Sequence, residues 1–159
     1  MKHLIDRPDG KSYCFRVHND RVFYLSEEMV RKASCISRKQ LMVLGTKFGR
    51  FTHKRNFRLH ISCLDYLNQL ALYKVWIKPS AEMSFLYGNH VTKAGIGRLS
   101  EGVPQYGGVI VNNMAGTPLG FGVAAQSTEY TQEMNPTAFA ILHQADVGEY
   151  LRDEATAAM

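Results

Sequence analysis

The chain has 159 residues, 45% of them apolar, and a formal net charge of +5, a composition that suits one medium or two small globular domains with a real core. Its aliphatic runs, such as Gly108 to Val111 and Leu41 to Leu44, are strand-sized and far short of the ~20 apolar residues a membrane span needs, so no membrane association is expected. The N-terminus lacks an apolar stretch before a small-residue cleavage site. Cys14, Cys35 and Cys63 form an odd, widely spaced set without C-x-x-C, which argues against a disulfide framework or a zinc knuckle and for a reducing cytosolic or nuclear compartment.

In chain order, Tyr13 to Val17 and Arg21 to Leu25 alternate aromatic or β-branched residues with polar ones around His18-Asn19-Asp20, predicting a β-hairpin with a three-residue connection. Ser26 reads as an N-cap. Glu27 and Glu28 then fall in a first helical turn, where the helix dipole favours them, and Met29, Val30 and Ala33 form an apolar stripe ending near Cys35. Two further strands are expected at Lys47 to Thr52 and Phe57 to Ile61, joined by the polar turn His53-Lys54-Arg55-Asn56. A period of two in both strands puts basic side chains on the face opposite the apolar ones, with Phe48, Phe51 and Phe57 inward. Ser62-Cys63-Leu64-Asp65 has the form of a capping box with Asp for Glu, opening a helix to about Leu72.

At Tyr73 the composition turns β-rich, Gly-rich and mildly acidic, which places a domain boundary between 72 and 73. Tyr73 to Lys78 reads as a strand stopped by Pro79, Phe85-Leu86-Tyr87 as a short strand or turn, and the residues from His90 as a helical piece. Gly107 to Asn112 and Leu119 to Ala125 form a second hairpin signal. A last strand is expected at Ala138 to Leu142 and a closing helix from Ala145 to Arg152. Short strands at this spacing suggest a small mixed β-barrel.

The charge is sorted rather than spread. Met29 to Leu64 holds nine cations (Arg31, Lys32, Arg38, Lys39, Lys47, Arg50, Lys54, Arg55, Arg58) and no acid. Residues 1–72 carry fourteen Lys and Arg against six acids, whereas 73–159 carry five against eight. A field of one sign over one region attracts polyanions and neutralises phosphates. Within the window, Lys47, Arg50, Lys54, Arg55 and Arg58 interleave with Phe48, Phe51 and Phe57, the mixture that phosphate contact and base stacking require. Enzyme signatures are weak: Gly95-Ile96-Gly97 and Gly120-Phe121-Gly122 lack the third glycine of a dinucleotide loop, the six histidines show no metal-ligand spacing, and Glu149, Asp153 and Glu154 are explained by a solvated tail. Neither cofactor nor metal is expected.

Several segments resemble one family. They are Val75-Trp76-Ile77-Lys78-Pro79, Ser84-Phe85-Leu86-Tyr87-Gly88-Asn89-His90-Val91, Pro118 to Ala125 and Gln144 to Arg152, with Asp6-Arg7-Pro8-Asp9-Gly10, Tyr13 to Arg16 and Phe57 to His60 upstream. The family is the eukaryotic large-subunit (60S) ribosome biogenesis factor Nip-seven. The resemblance implies an α+β chain: an N-terminal α/β domain, 1–72, without the additional first helical stretch usual in relatives, followed by a PUA pseudobarrel, 73–159. It further implies a noncatalytic nuclear and nucleolar protein, monomeric outside the particle, that meets pre-rRNA and other 60S assembly factors. By region, it assigns RNA contact to Tyr87, Gly88, Asn89, His90, Lys93 and Arg98, with Arg152 from the C-terminal side, while Gln126 stands where many relatives carry Lys. The alternative is a protein–protein adaptor that uses the PUA fold as a docking surface.

Overall fold

The computed structural model describes residues 2–5, 7, 10–37, 39–41 and 43–152. Arg38, Asp153, Glu154 and most of the Asp6 to Gly10 segment lie outside them. The chain divides into two compact units, 1–66 and 67–158. Among the described residues no helix is long and apolar enough to cross a membrane.

The first unit is a four-stranded antiparallel sheet in sequential order, β1 (Tyr13–His18), β2 (Arg21–Ser26), β3 (Thr46–Phe51) and β4 (Phe57–Leu59). It is preceded by the short helix α1 (Lys2–Ile5), whose Leu4 is buried. The first hairpin forms as expected but with a tighter turn. His18 pairs with Arg21, leaving a two-residue loop in which Asn19 and Asp20 take φ of 49° and 58°, the doubly left-handed turn that matches strand twist and that Asn and Asp tolerate. Ser26 caps α2 (Glu27–Ala33) by accepting the Met29 N–H at 3.3 Å. The expected Ser62 cap is replaced by His60, which caps a 3-10 turn over Ile61–Cys63 that leads into α3 (Leu64–Leu70). Ser62 instead donates its hydroxyl to the Lys47 carbonyl at 2.7 Å. The core of this unit is aromatic: Tyr24 is 1% exposed, and its ring meets those of Tyr13, Phe15, Phe48 and Tyr66 at centroid distances of 5.0 to 6.0 Å.

The second unit is a mixed six-stranded sheet. In chain order its strands are β5 (Lys74–Ile77), β6 (Val91–Thr92), β7 (Ile96–Leu99), β8 (Gly108–Asn113), β9 (Pro118–Ala124) and β10 (Phe139–Asp146). They lie side by side as β6-β10-β9-β8-β5-β7, with β5 and β8 parallel. The two edge strands, β6 and β7, are separated in sequence only by the 3-10 turn Lys93–Gly95. At ~3.8 Å per residue step that link draws the edges together, so the sheet curls into the expected barrel. Val75, Ile77, Phe85, Val109, Val111 and Ile141 fill its core.

Three expectations fail here. Phe85 to Tyr87 is not a strand or free turn, because α4 (Pro79–Leu86) runs through it with Pro79 in the first turn. A proline that ends one strand for want of an N–H has the φ that starts a helix. From His90 the chain enters a strand rather than a helix, and Ala145 and Asp146 end β10, leaving only α6 (Glu149–Arg152) of the closing helix. The short α5 (Thr128–Glu133) buries only Thr131 and has no apolar period that a sequence could display.

Candidate nucleic-acid interface

Strict alternation along Lys47-Phe48-Gly49-Arg50-Phe51 would send Lys47 and Arg50 to opposite faces, contrary to the expected single basic face. The structure gathers them by a β-bulge. Phe23 pairs with Lys47 and Val22 with Gly49, so Phe48 has no partner residue in β2. One extra residue resets the alternation. Phe48 turns into the core, 5% exposed and edge-on to Phe15, while Lys47 and Arg50 share the other face. Arg50 pairs directly with Arg58 of β4, and directly opposed residues project to the same side. Lys47, Arg50 and Arg58 therefore lie together, with both arginines exposed. On the reverse face the rings of Phe51 and Phe57 meet at a tilt with centroids 5.3 Å apart, and Phe57, expected inward, is 40% exposed.

The electrostatics follow from this arrangement. The Lys47 ammonium is pulled below its ordinary range by burial and then by Arg21 and Arg50. His60 is lowered to about 4, first by burial and then by Lys47 and Arg50, so its imidazole is neutral near pH 7. Its Nδ1 lies 2.7 Å from the Ser62 hydroxyl. Lys54 and Arg55 occupy the turn beyond the strand ends rather than the face. Arg55, at φ 61°, faces Asp20 across 3.7 Å with both side chains exposed, a pair of little energetic weight.

Sequence reasoning missed three residues on this face. By register, His18 and Arg21 continue the line of Arg50 and Arg58, and Arg16, through Phe23, continues that of Lys47. Their position next to the hairpin turn was visible, but the alignment of β2 with β3 was not.

In the second unit the expected residues divide by their engagement. Tyr87 is 69% exposed and Asn89 is exposed, flanking Gly88 at φ 88° between α4 and β6. His90 accepts the His143 backbone N–H on Nδ1 at 3.0 Å. Arg98 lies on β7 opposite Trp76, its guanidinium 4.8 Å from the indole, a cation–π contact. Lys93 is held by the fold: its ammonium donates to the Gln132 carbonyl and, at 2.8 Å, to that of Met134, closing the end of α5. Arg152 likewise donates to the Leu86 carbonyl and, at 2.8 Å, to Asp146 Oδ2. That buried carboxylate also accepts from His143 Nε2 at 2.6 Å. Lys93 and Arg152 thus brace the segments around the 87–90 loop. Glu149 accepts the Asp146 N–H at 3.4 Å and is raised above the ordinary carboxylate range chiefly by burial.

Comparison with known proteins agrees with this architecture. The family model described as the NIP7/UPF0113 pre-PUA domain matches residues 1–61, and that of the UPF0113 PUA domain matches 73–155. The chain is 60% identical to the 60S ribosome subunit biogenesis protein NIP7 homolog of Sus scrofa and 58% identical to that of Xenopus tropicalis, in each case over 98% of this chain and 86% of the relative. Among solved structures, a conserved PUA domain protein from Thermoplasma acidophilum superposes with a TM-score of 0.62 at 14% identity, covering 96% of this chain and 87% of that one. A PUA domain from Aeropyrum pernix K1, crystallised with tartrate, gives 0.60 at 13% identity, covering 99% and 86%. Those two share the fold, the family models mark it as a pre-PUA region followed by a PUA domain, and the sequence matches establish the kinship: the chain belongs to the NIP7/UPF0113 family.

Proposed function

We propose that this protein is a noncatalytic RNA-binding assembly factor of the large (60S) ribosomal subunit, acting on pre-rRNA in the nucleus and nucleolus. Its relatives are named as 60S biogenesis proteins, and PUA modules are RNA-binding folds. The observation that carries the reading is the gathering of Lys47, Arg50 and Arg58 on one exposed face by the bulge at Phe48. In this division of labour residues 1–72 supply phosphate contact through Lys47, Arg50, Lys54, Arg55 and Arg58. Residues 73–159 present Tyr87, Asn89, His90 and Arg98 to unpaired nucleotides, with Lys93 and Arg152 holding that region in place.

Crosslinking of the protein within assembling particles tests the reading. Recovery of discrete pre-rRNA segments attached to peptides from 47–58 and 87–98 is expected. Crosslinks to assembly proteins alone would replace it with the adaptor reading, in which the basic face meets acidic protein tails.

A further inference from the structure

The basic face is larger than the segment from Lys47 to Arg58, and it has a direction. The paired register sets His18, Arg21, Arg50 and Arg58 side by side across all four strands of the first sheet. Arg16, Phe23 and Lys47 form a parallel row beside it. His18, Arg21, Arg50 and Arg58 are all exposed, as is Arg16, while Phe23 is half-buried. Neighbouring strands are ~4.8 Å apart, so the outer row spans roughly 14 Å, perpendicular to the strands. A row of that length meets several successive anionic groups rather than one.

Like charges directly opposed on a sheet are destabilising, yet this sheet opposes Arg21 to Arg50 and Arg50 to Arg58. The Lys47 ammonium in the adjacent row, lowered first by burial, is lowered further by Arg21 and Arg50. The ring of Phe23, set between Arg16 and Lys47, adds a stacking surface within the cationic field. An unpaired base can stack on such a ring, whereas the carboxylates of an acidic tract gain nothing from it.

We infer that the two transverse rows form a track for single-stranded RNA whose backbone crosses the strands, with Arg16 and Arg21 as phosphate contacts equal in rank to Arg50 and Arg58. This rests on the RNA-binding reading above and extends the site onto the β1–β2 hairpin, outside the acid-free window.

The test is titration of the full chain with a fluorescein-labelled, unstructured single-stranded RNA oligonucleotide over a range of salt concentrations. Each phosphate contact on a single strand contributes about −0.7 to the log–log salt slope. The Arg16→Ser/Arg21→Ser variant should therefore lose about 1.4 from the magnitude of the slope, with its thermal melt not lowered, since the Arg21–Arg50 opposition is relieved. The Arg16→Lys/Arg21→Lys variant should retain the slope, and poly-glutamate at equal charge should displace the RNA poorly. A serine variant with the wild-type slope and affinity overturns the track while leaving the RNA-binding reading standing. Displacement by poly-glutamate as effective as by unlabelled RNA overturns it in favour of an acidic protein ligand. Wild-type protein that binds no RNA removes both readings together.

Discussion

His60 and Cys63 show how much of this unit's chemistry is set by burial. The folded imidazole is lowered from 6.5 to about 4, so between those values the unfolded chain takes up a proton that the folded one refuses. Stability is therefore fully present above pH 6.5 and declines as pH falls toward about 4. Thermal melts at pH 7 and pH 5 should show that loss in the wild type and a smaller one in His60→Asn, which keeps a capping side chain. Cys63 is fully buried, donates to the His60 carbonyl at 2.8 Å, and is pushed up to about 12 by burial. Cys35 is exposed. Since the thiolate is the reactive species, a disulfide-exchange reagent should label Cys35 in the native protein and reach Cys63 only on unfolding. At this scale the cations were legible in the sequence, because residue type alone marks a phosphate-neutralising side chain. Their occupation was not: Lys93 and Arg152 look as available as Arg98 until the carbonyls of Gln132, Met134 and Leu86 are in view.

Among the elements, the bulge in β3 has the largest consequence. It converts a segment whose alternation is wrong for a basic face into one that presents Lys47 and Arg50 together. Gly49 makes it possible, since a Cβ there would collide with the Arg58 carbonyl and with the Phe57 ring. A carbonyl in a sheet ladder cannot yield without opening the β3–β4 pairing. Gly49→Ala should therefore destabilise the protein by about 1–3 kcal/mol, read by urea denaturation, and should weaken RNA binding beyond what the reduced stability explains. Ser26→Ala should cost about 1 kcal/mol through its cap, with RNA binding unaffected. The first hairpin and the Ser26 cap were readable because local chemistry specifies them. The bulge was not, because it depends on the register of β2 against β3, and the α4 helix was hidden because Pro79 reads first as a strand terminator.

For the molecule as a whole, charge and fold family are distributed unequally. The PUA domain supplies the kinship with RNA-binding modules but carries five Lys and Arg against eight acids in residues 73–159, while residues 1–72 carry fourteen against six. Long-range attraction to RNA should come from the first unit and fall steeply with ionic strength. That a strand-rich barrel follows the first region was legible from the turn to a β-rich, Gly-rich composition, whereas the structure divides its two units between 66 and 67. The barrel's closure was less so, because it depends on two short strands, β6 and β7, that carry little periodicity of their own. The most direct test of the central claim is the salt dependence of RNA affinity for the wild type and for the variant with Arg50, Lys54, Arg55 and Arg58 all changed to Ser. Weaker binding is predicted, with the slope shallower by roughly 0.7 for each phosphate that is no longer neutralised. Unchanged affinity and slope would contradict the assignment of the basic face to RNA.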